Sequence, residues 1–318
     1  AYPYFGEAER YFSELMHKYS GNEYKLPLSS SPEYNDNRIT AWFPEFTSYD
    51  LALVKSFYRY GTAIAATAYD RKPVEWIDVL QQLPEFSANA TGLLIAPGQP
   101  LAVSHRHHAQ LMAIYPLEEL QITEPGDTAL IRNSLRHLEK TGTREWCGYS
   151  FSWAAALYAR ANEADAAVQH LKIFATNFCG PNSFHLNGDQ KGGQYSNFTY
   201  RPFTLEGNFA FAQAVHELLI RSHSGVIEVF PAIPAAWTSV SFKDLRTEGA
   251  VLVSAERVAG NTDKIILKAT VDGEVVLSNP FHTWIVSGIE RKLVKQESGQ
   301  LRFYLKRGQR VLFKNGYE

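Results

Sequence analysis

The texture of the sequence changes near residue 237, and this change restricts the folds that the chain can adopt. Before it, apolar residues recur at spacings of three and four, for example between Thr47 and Tyr69, which is the period of an amphipathic helix. After it, short alternating runs are separated by Asp-Gly and Gly-Asn turns, which is typical of antiparallel strands. The predicted strands are Ser239–Phe242, Ala250–Arg257, Lys264–Val271, Glu274–Ser278, Thr283–Val286, Leu301–Leu305 and Val311–Lys314. We therefore predict a helical domain over residues 1–236 and an all-β domain over residues 237–318.

The first region contains six or seven predicted helices that are joined by long polar loops. Helices are predicted at Glu7–Tyr19, Thr47–Tyr69, Trp76–Leu83, Asp127–Gly142, Ser150–Ala161, Glu163–Phe178 and after Phe203. Asp127 is the predicted cap of the fourth and Gly142 its stop, while Asn162 turns a helical hairpin. Long loops at helix ends favour a helical toroid or solenoid over a four-helix bundle, and the helix number is about half of what a closed ring requires.

The charge balance excludes one class of function. The chain carries 31 basic and 33 acidic residues, so its formal net charge is -2, and it lacks the basic footprint of a nucleic-acid-binding protein. No apolar run approaches the length of a membrane span. Aromatic residues make up 13% of the chain. Such rings suit sugar binding, but a large helical core would use them equally well.

The chain opens with AYPYFGEAER, without an initiator methionine or a recognisable signal peptide. We therefore expect it to be processed or cut from a longer protein. Its two cysteines, Cys147 and Cys179, bracket two predicted helices, so a disulfide and two free thiols both remain open. One pair of cysteines does not define a compartment.

The segment from Phe203 to Pro234 contains the most informative carboxylate. Glu206 lies on a Gly-Asn turn at the start of an amphipathic helix. Because Leu205 and the nearby Phe203 and Phe209 are apolar, we expect the turn at the edge of a packed interior. The free N–H groups of a helix start stabilise a negative charge, so Glu206 would serve as a base or a charge stabiliser.

A second carboxylate, Glu33, lies in the polar loop Ser29–Asn37. Pro32 fixes the backbone before it, and the neighbouring hydroxyl and amide groups could hold its carboxyl group. The alternative is an ordinary polar turn with solvated acids.

A histidine-rich segment, Ser104–His108, is the third candidate. His105 and His107 would bind a metal side by side only on an extended segment, and no carboxylate or cysteine lies nearby in the sequence. Arg106 and the histidines could instead donate hydrogen bonds to sugar hydroxyls, or form a satisfied polar loop. All three interpretations remain open on sequence alone.

Two carboxylates from distant loops that meet across a cleft are what glycosidic cleavage requires. One protonates the leaving oxygen, and the other activates a water molecule or attacks directly. Glu33 and Glu206 are the natural pair, and Asn208 and the segment Asn187–Asp189 accompany the second of them. We interpret the pair as a candidate acid/base apparatus.

Five motifs follow one another along the chain: SSSPE, HRHHAQLMAIYP, GYSFSWAAALYAR, FTLEGNF with SHSGVIEVFPAIPAAW, and SFKDLRTEGAVLVSAE. Together, and in this order, they resemble the C-terminal part of glycoside hydrolase family 95, the α-L-fucosidase and α-L-galactosidase family. The resemblance implies a mainly α fold, an (α/α)6 toroid present here as a partial barrel, followed by a C-terminal antiparallel β-sandwich domain.

The resemblance also implies a mechanism and roles for individual residues. Glu33 falls on the general acid, and Glu206 falls on the carboxylate that polarises the catalytic amides and their water. For inversion we expect an apolar setting that keeps Glu33 protonated, and a helix start that keeps Glu206 ionised. The predicted substrate contacts are Arg106, His107, His105, Asn208 and Trp153. The implied reaction is inverting, uses no metal or cofactor, and acts on an oligosaccharide or polysaccharide with terminal α-L-fucose or α-L-galactose.

Three departures from the family pattern matter. Position 206 is usually Asp, and Glu206 is one methylene longer; a misplacement of about 1 Å can cost on the order of a hundredfold in rate. The paired asparagines of the family, in a His-x-Asn-x-Asn type segment, have no counterpart before Glu33. The segment GDQKGGQYSNFTYRP also lacks a counterpart, and we expect it to form a loop over the site. We therefore expect the N-terminal half of the same enzyme to be missing, and the whole to be periplasmic or extracellular.

Two other functions remain open. The departures favour a catalytically silent, carbohydrate-binding relative. The second alternative is a polysaccharide lyase on a similar toroid. In that enzyme Tyr34, Tyr149 or Tyr195 would act with the histidines to abstract a proton.

Overall fold

The computed structural model describes residues 2–18, 23–69 and 71–316, and seven α-helices lie within those ranges. The helices are α1 (Tyr2–Leu15), α2 (Ser48–Tyr69), α3 (Val74–Gln82), α4 (Pro125–Thr141), α5 (Gly148–Arg160), α6 (Ala164–Asn177) and α7 (Glu206–Leu219). This number agrees with the prediction of six or seven helices. Short 3-10 turns occur at Ile39–Ala41, Ala109–Leu111, Glu248–Ala250 and Arg291–Leu293.

The predicted limits hold well for α2 and for the hairpin of α5 and α6. Asn162 turns the hairpin in a left-handed conformation, with φ of 61°, which asparagine tolerates better than most residues. Gly142 ends α4 with φ of 79°, as expected for a helix stop.

Two helix starts differ from the prediction. α1 begins at Tyr2 rather than Glu7 because Pro3 fits the first turn of a helix, where no N–H is required. It ends at Leu15, and the predicted end at Tyr19 lies outside the described residues. α4 begins at Pro125, and Asp127 is not its cap; the Asp127 carboxylate instead accepts a hydrogen bond of 2.9 Å from the Gln121 N–H.

α5 is the central helix of the first region. Eleven of its 13 residues are buried, because α4, α6 and α7 contribute to one apolar cluster around it, and a helix buried on all sides belongs to the core of a domain. α1, α2 and α3 form a separate cluster around Leu51, Tyr58 and Trp76. None of the helices in the described ranges has the length and hydropathy that a membrane span requires.

The second region is a pair of antiparallel sheets. The strands of the chain are β1 (His17–Lys18), β2 (Tyr24–Lys25), β3 (Ala88–Asn89), β4 (Gly92–Leu93), β5 (Ile220–Arg221), β6 (Glu228–Val229), β7 (Val240–Arg246), β8 (Val251–Val258), β9 (Asn261–Ala269), β10 (Gly273–Ser278), β11 (Trp284–Ser287), β12 (Lys295–Glu297), β13 (Gln300–Leu305) and β14 (Arg310–Asn315). A five-stranded sheet has the order β11-β14-β9-β8-β7, and a three-stranded sheet has the order β10-β13-β12. Their inner faces share a core that includes Leu267, Leu301 and Phe313.

One strand of this region was not predicted. β12 consists of three exposed polar residues and pairs only with β13, so it has no alternating pattern to reveal it. The seven predicted strands are all present. β7 is longer than predicted, because a bulge between Phe242 and Leu245 lets the strand continue.

The segment that joins the two regions packs against both of them, so the border is not sharp. The sequence predicts it near residue 237, whereas Ile220 and Val229 already pack in the β core. Ala232 packs in the helical core. Buried Arg221 also ties this segment to the α5–α6 turn, since it donates hydrogen bonds to the Arg160 carbonyl and to Asn162 Oδ1.

Candidate active site

The loop that carries Glu33 is anchored by a buried hydroxyl. Ser29 is 2% exposed, and its Oγ donates to Asp50 Oδ2 over 2.6 Å and lies 3.0 Å from Thr47 Oγ1. Asp50 and Thr47 lie at the start of α2, and Ser29 also pairs with Phe43 through the backbone. The Ser-Pro-Glu segment is therefore fixed to the end of a long helix.

The backbone of the same loop is strained. Glu33, Asn35 and Asp36 have φ of 56°, 64° and 53°, a left-handed region that costs a non-glycine residue on the order of 1 kcal/mol or more. Strain of this kind persists only where the surroundings hold it, and it clusters at functional sites. The conformation directs the Glu33 side chain toward the histidine-rich segment, as its contacts show.

Glu33 is held by two side chains of that segment. Its Oε2 forms an ion pair with the Arg106 guanidinium and lies 3.6 Å from His107 Nδ1. The Glu33 side chain is 49% exposed and that of Arg106 36%. The apolar setting that the sequence suggested for the acid is therefore wrong: a charged, partly solvated pair occupies this position.

The histidines of Ser104–His108 have separate tasks. His105 Nδ1 accepts a hydrogen bond of 3.1 Å from the His107 N–H, and its ring meets Tyr34 edge-on at 6.1 Å. Burial lowers the pKa of His107, and the charge of Glu33 opposes this shift. No three His, Cys, Asp or Glu side chains in the described ranges are grouped to hold a metal ion.

His108 belongs to the core rather than to the cleft. It is fully buried, and its Nε2 lies 3.0 Å from the Ser150 carbonyl oxygen. Its ring packs 4.5 Å from that of Trp146 and 5.3 Å from that of Trp153. Burial lowers its pKa to about 3, so the ring is neutral at physiological pH and fixes the start of α5 beneath the site.

Glu206 is the first residue of α7, where the helix dipole favours a carboxylate. Its apolar neighbours do not form the expected packed edge: Phe203 is 50% exposed, Leu205 38% and Phe209 66%. The expectation of a packed interior around Glu206 is therefore wrong for the described chain. Phe203 stacks instead on Phe184, with ring centroids 5.1 Å apart.

Beneath Glu206 lies a histidine that the sequence interpretation missed. His185 is fully buried, and its Nδ1 lies 2.7 Å from both the carbonyl oxygen and the hydroxyl of Thr204. A Cβ on Gly148 or Gly207 would collide with its ring. The ring therefore fits between the starts of α5 and α7 only because both carry glycine there. Those two glycines were the sequence signal that could have indicated it.

Asn208 is engaged by the same loop. Its Oδ1 accepts a hydrogen bond of 2.9 Å from the His185 N–H, and its Nδ2 donates one of 2.9 Å to the Ser183 carbonyl. These contacts give the side chain a structural role in joining the loop to α7. Its predicted substrate contact remains a prediction.

Each carboxylate acts electrostatically on one tyrosine. Burial, and then the charge of Glu206, raise the pKa of Tyr149. Burial and then Cys147 raise the pKa of Tyr200, which Arg106 lowers and Glu33 raises. The rings of Tyr149 and Trp153 meet edge-on at 6.0 Å, and the Trp153 Nε1 donates to the Tyr115 carbonyl. Tyr149 therefore belongs to the surface around Glu206, and Tyr200 to the surface around Glu33.

The segment before α7 folds against this surface. Buried Asp189 accepts hydrogen bonds from the Lys191 and Tyr195 N–H groups and from the Asn177 amide. The Phe198 ring centroid lies 6.0 Å from the Arg106 guanidinium. Asp189 therefore organises the loop, and its aromatic residues meet the histidine-rich segment.

A cleft of about 400 Å³ opens beside Glu33, lined also by Tyr34, Asp36, His105, Arg106 and Glu145. This volume is within the range of small-molecule sites. Cys147 and Cys179 are both free thiols, so the disulfide alternative is not realised.

The family model for the glycosyl hydrolase family 95 catalytic domain matches residues 1–219, and that for the family's C-terminal domain matches residues 221–312. The chain belongs to glycosyl hydrolase family 95. The resemblance inferred from the five motifs is thereby confirmed.

Two curated proteins with α-fucosidase names match this family 95 chain. "Alpha-L-fucosidase 2" of Arabidopsis thaliana is 34% identical over 164 residues, which cover 50% of this chain and 18% of that protein. "Probable alpha-fucosidase A" of Aspergillus oryzae is 26% identical over 185 residues, or 53% of this chain and 24% of that protein. The chain thus matches less than a quarter of the length of either relative.

A solved structure assigned as a kojibiose phosphorylase from the human microbiome resembles the fold. It superposes with a TM-score of 0.52 at 9% identity and covers 96% of this chain and 44% of that one. At this identity the likeness concerns the fold alone. It extends across both the helical and the β-rich regions of the family 95 chain.

Of the predicted site residues, the structure brings Glu33 together with Arg106 and His107, and His105 lines the same cleft. Trp153 lies behind Tyr149. Asn208 lies beside Glu206 at the start of α7. The residues that the family 95 motifs mark thus divide into a group around Glu33 and a group around Glu206.

Proposed function

We propose that the full-length protein is a glycosidase that removes terminal α-L-fucose or α-L-galactose from an oligosaccharide or polysaccharide, with inversion at the anomeric carbon. Membership of glycosyl hydrolase family 95 and the α-fucosidase names of two relatives support this reaction class. Because the chain matches less than a quarter of those relatives, the proposal concerns the whole protein. We also propose that its N-terminal half supplies the paired asparagines.

The observation that carries the proposal is the contact of Glu33 with Arg106 and His107 beside an open cleft. In the proposed mechanism Glu33 is the general acid that protonates the leaving oxygen. Glu206, at the helix start, stabilises the polarised groups that activate the attacking water. An inverting reaction requires carboxyl groups roughly 6.5–9.5 Å apart, which leaves room for that water.

The ion pair between Glu33 and Arg106 must open before Glu33 can act on a substrate. In the free protein the Arg106 guanidinium occupies the Glu33 carboxyl group. We propose that sugar hydroxyls bind the guanidinium instead, since Arg106 is partly exposed to the cleft. The Glu33 carboxyl group is then released to contact the leaving oxygen. Substrate binding thereby prepares the acid.

The test is Glu33→Gln in the full-length protein, assayed on α-L-fucosides with different leaving groups. We expect kcat to fall on the order of 10²- to 10⁴-fold for a sugar leaving group. The loss should be much smaller for an aryl leaving group of low pKa, which departs without protonation. Proton NMR should show the β anomer as the first product from an α-fucoside.

Glu45→Gln is the matched control, because Glu45 pairs with Lys25 away from the cleft and its loss should leave turnover unchanged. An equal fall in kcat for the sugar and the aryl leaving group would show that Glu33 is not the general acid. Retention of the α anomer would contradict inversion. The upstream coding sequence should contain the asparagine pair, and cell fractionation should find the protein in the periplasm or medium.

A catalytically silent, sugar-binding relative is the second candidate, favoured by the longer Glu206 and by its exposed surroundings. Binding of fucose without turnover by the full-length protein would select it. A lyase that used Tyr149 as its base is disfavoured, because burial and Glu206 raise the pKa of that tyrosine and so weaken it as a base. Ultraviolet-absorbing products would restore that alternative.

A further inference from the structure

The outer face of the five-stranded sheet carries an unusual row of basic residues. Alternate residues of β8, β9 and β14 point away from the core, as their burial pattern shows. The row that crosses the sheet contains Arg246, Leu252, Lys268 and Arg310, each directly opposite the next. A groove of about 780 Å³ lies over this face.

Like charges face one another twice on this surface. Lys268 is directly opposite Arg310, and Lys264 is directly opposite Lys314. Like charges in directly opposed positions destabilise a sheet. β9 and β14 are interior strands of the sheet, so the usual explanation for surface lysines, protection of an exposed edge, does not apply to them.

The charges in the groove are not balanced within the protein. The groove is lined by four basic side chains (Lys243, Lys264, Lys268 and Arg310) and two acidic ones (Asp244 and Glu256). Lys264 pairs with Glu256 at 2.5 Å. Over the described ranges, no carboxylate lies within ion-pair distance of Lys243, Lys268 or Arg310. The cationic groups at one end of the groove are therefore available to an anion from outside.

The middle of the same face is apolar. Ile266 and Leu312 are directly opposite each other and only partly buried, and Ser254 continues their row on β8. The apolar patch offers a surface for the C–H faces of sugar rings. The neighbouring cations offer contacts for acidic substituents on the same rings.

We propose that this groove, formed by β7, β8, β9 and β14, binds an acidic polysaccharide chain that bears uronate or sulfate groups. Lys268 and Arg310 contact the anionic groups, and Ile266 and Leu312 lie under the sugar rings. The groove would hold a polymer near the helical region independently of turnover, so this proposal does not require the proposed reaction. The match of this region to a glycosidase C-terminal domain favours a glycan over nucleic acid.

The test compares Lys268→Gln/Arg310→Gln with Lys140→Gln/Lys172→Gln, which removes the same charge from exposed positions on α4 and α6. Both variants are made in the full chain with Glu33→Gln, so that hydrolysis of the probe does not affect the binding measurement. Polygalacturonate and dextran serve as the acidic and the neutral probe in affinity electrophoresis at two salt concentrations. We expect the groove variant to bind polygalacturonate at least about tenfold more weakly and with less salt dependence, and the control to bind within about twofold of the parent.

Melting curves provide a second readout. Because the groove variant removes both opposed cations, its melting temperature without ligand should be higher than that of the parent. Polygalacturonate should raise the melting temperature of the parent but not that of the groove variant. The proposal is overturned if the groove variant binds as tightly as the parent, if dextran binds equally well, or if duplex DNA or phosphatidylserine vesicles compete better than polygalacturonate. If the full-length protein with Glu33 intact showed no fucoside turnover while polygalacturonate binding stayed intact, only the proposed function would be contradicted.

Discussion

The Glu33 rim and the histidine floor are two regions of the site that are stabilised by different forces. We define the rim as residues 31–36 with Arg106 and His107; it is partly exposed and held by an ion pair. The floor consists of three largely shielded rings, those of His108, His170 and His185, which burial keeps neutral. The charges of the rim are partly exposed, whereas the rings of His108 and His185 pack against the starts of α5 and α7 and that of His170 stacks on Tyr158. Changes in the floor should therefore alter stability, and changes in the rim should alter activity.

The largest stability effect is expected for Gly207→Ala in the floor. The added methyl group would collide with His185, and overpacking of this kind costs roughly 3 kcal/mol of unfolding free energy. Gly126→Ala is the control, because open space surrounds that helical glycine and alanine there should be neutral or stabilise by about 0.5 kcal/mol. Urea unfolding measures both. Equal midpoints for the two variants would show that the floor is not tightly packed.

Acid should destabilise the floor next most strongly. Burial lowers the pKa of His108 to about 3 and that of His170 to about 4, whereas the unfolded value is about 6.5. As the pH falls below 6.5 the unfolded chain takes up protons first, so stability is lost down to about pH 4 through His170 and down to about pH 3 through His108. At pH 5 the loss is about 2 kcal/mol for each ring.

His170→Phe checks this assignment, since it preserves the stacking on Tyr158 and removes one titrating ring. The difference in unfolding free energy between pH 7 and pH 5 should shrink by about 2 kcal/mol. His282→Gln, at an exposed position, should leave the difference unchanged. An unaltered pH slope in the first variant would assign the acid sensitivity to other groups.

Asn208→Ala should have a smaller effect, because it removes two hydrogen bonds but leaves the ring of His185 in place. We expect a loss of about 1 kcal/mol, since the His185 N–H is left without its partner. Asn133→Ala on the surface of α4 is the control and should be neutral. If Asn208→Ala were as harmful as Gly207→Ala, the floor would depend on this amide rather than on packing.

The smallest stability effect is expected in the rim. Arg106→Gln breaks a partly exposed ion pair, and such pairs contribute roughly 0–1 kcal/mol. In contrast, turnover by the full-length protein should fall on the order of 10²-fold or more, as for the loss of one donor to a reacting group. Calorimetry and fucoside kinetics on the same sample separate the two. A large loss of stability with normal kinetics would reverse the contrast between rim and floor.

Much of the fold was predictable from local sequence. The periodicity of the sequence predicted α2, the α5–α6 hairpin and the strands of the two large sheets other than β12. Asn162 and Gly142 marked the hairpin turn and the end of α4. β12 was missed because its pairing depends on β13 and leaves no local pattern. The closed toroid remains a prediction, because a ring depends on helices that meet at long range.

The sequence motifs marked Glu33, Arg106 and His107, and these three side chains do meet. Their roles in a reaction remain predictions, and their surroundings were not predictable from the sequence. The apolar setting of Glu33 and the packed edge at Phe203 and Phe209 were wrong, because exposure depends on how distant loops fold back. His185 was missed since its importance comes from two glycines that are far from it in sequence.

The left-handed backbone at Glu33 also predicts how this site would evolve under selection for heat resistance. Glycine and asparagine adopt that conformation more readily than glutamate. A screen for thermostable variants would therefore enrich Glu33→Gly and Glu33→Asn, and each would melt higher while turnover disappears. The proposed acid thus occupies a position at which glycine or asparagine would make the folded chain more stable.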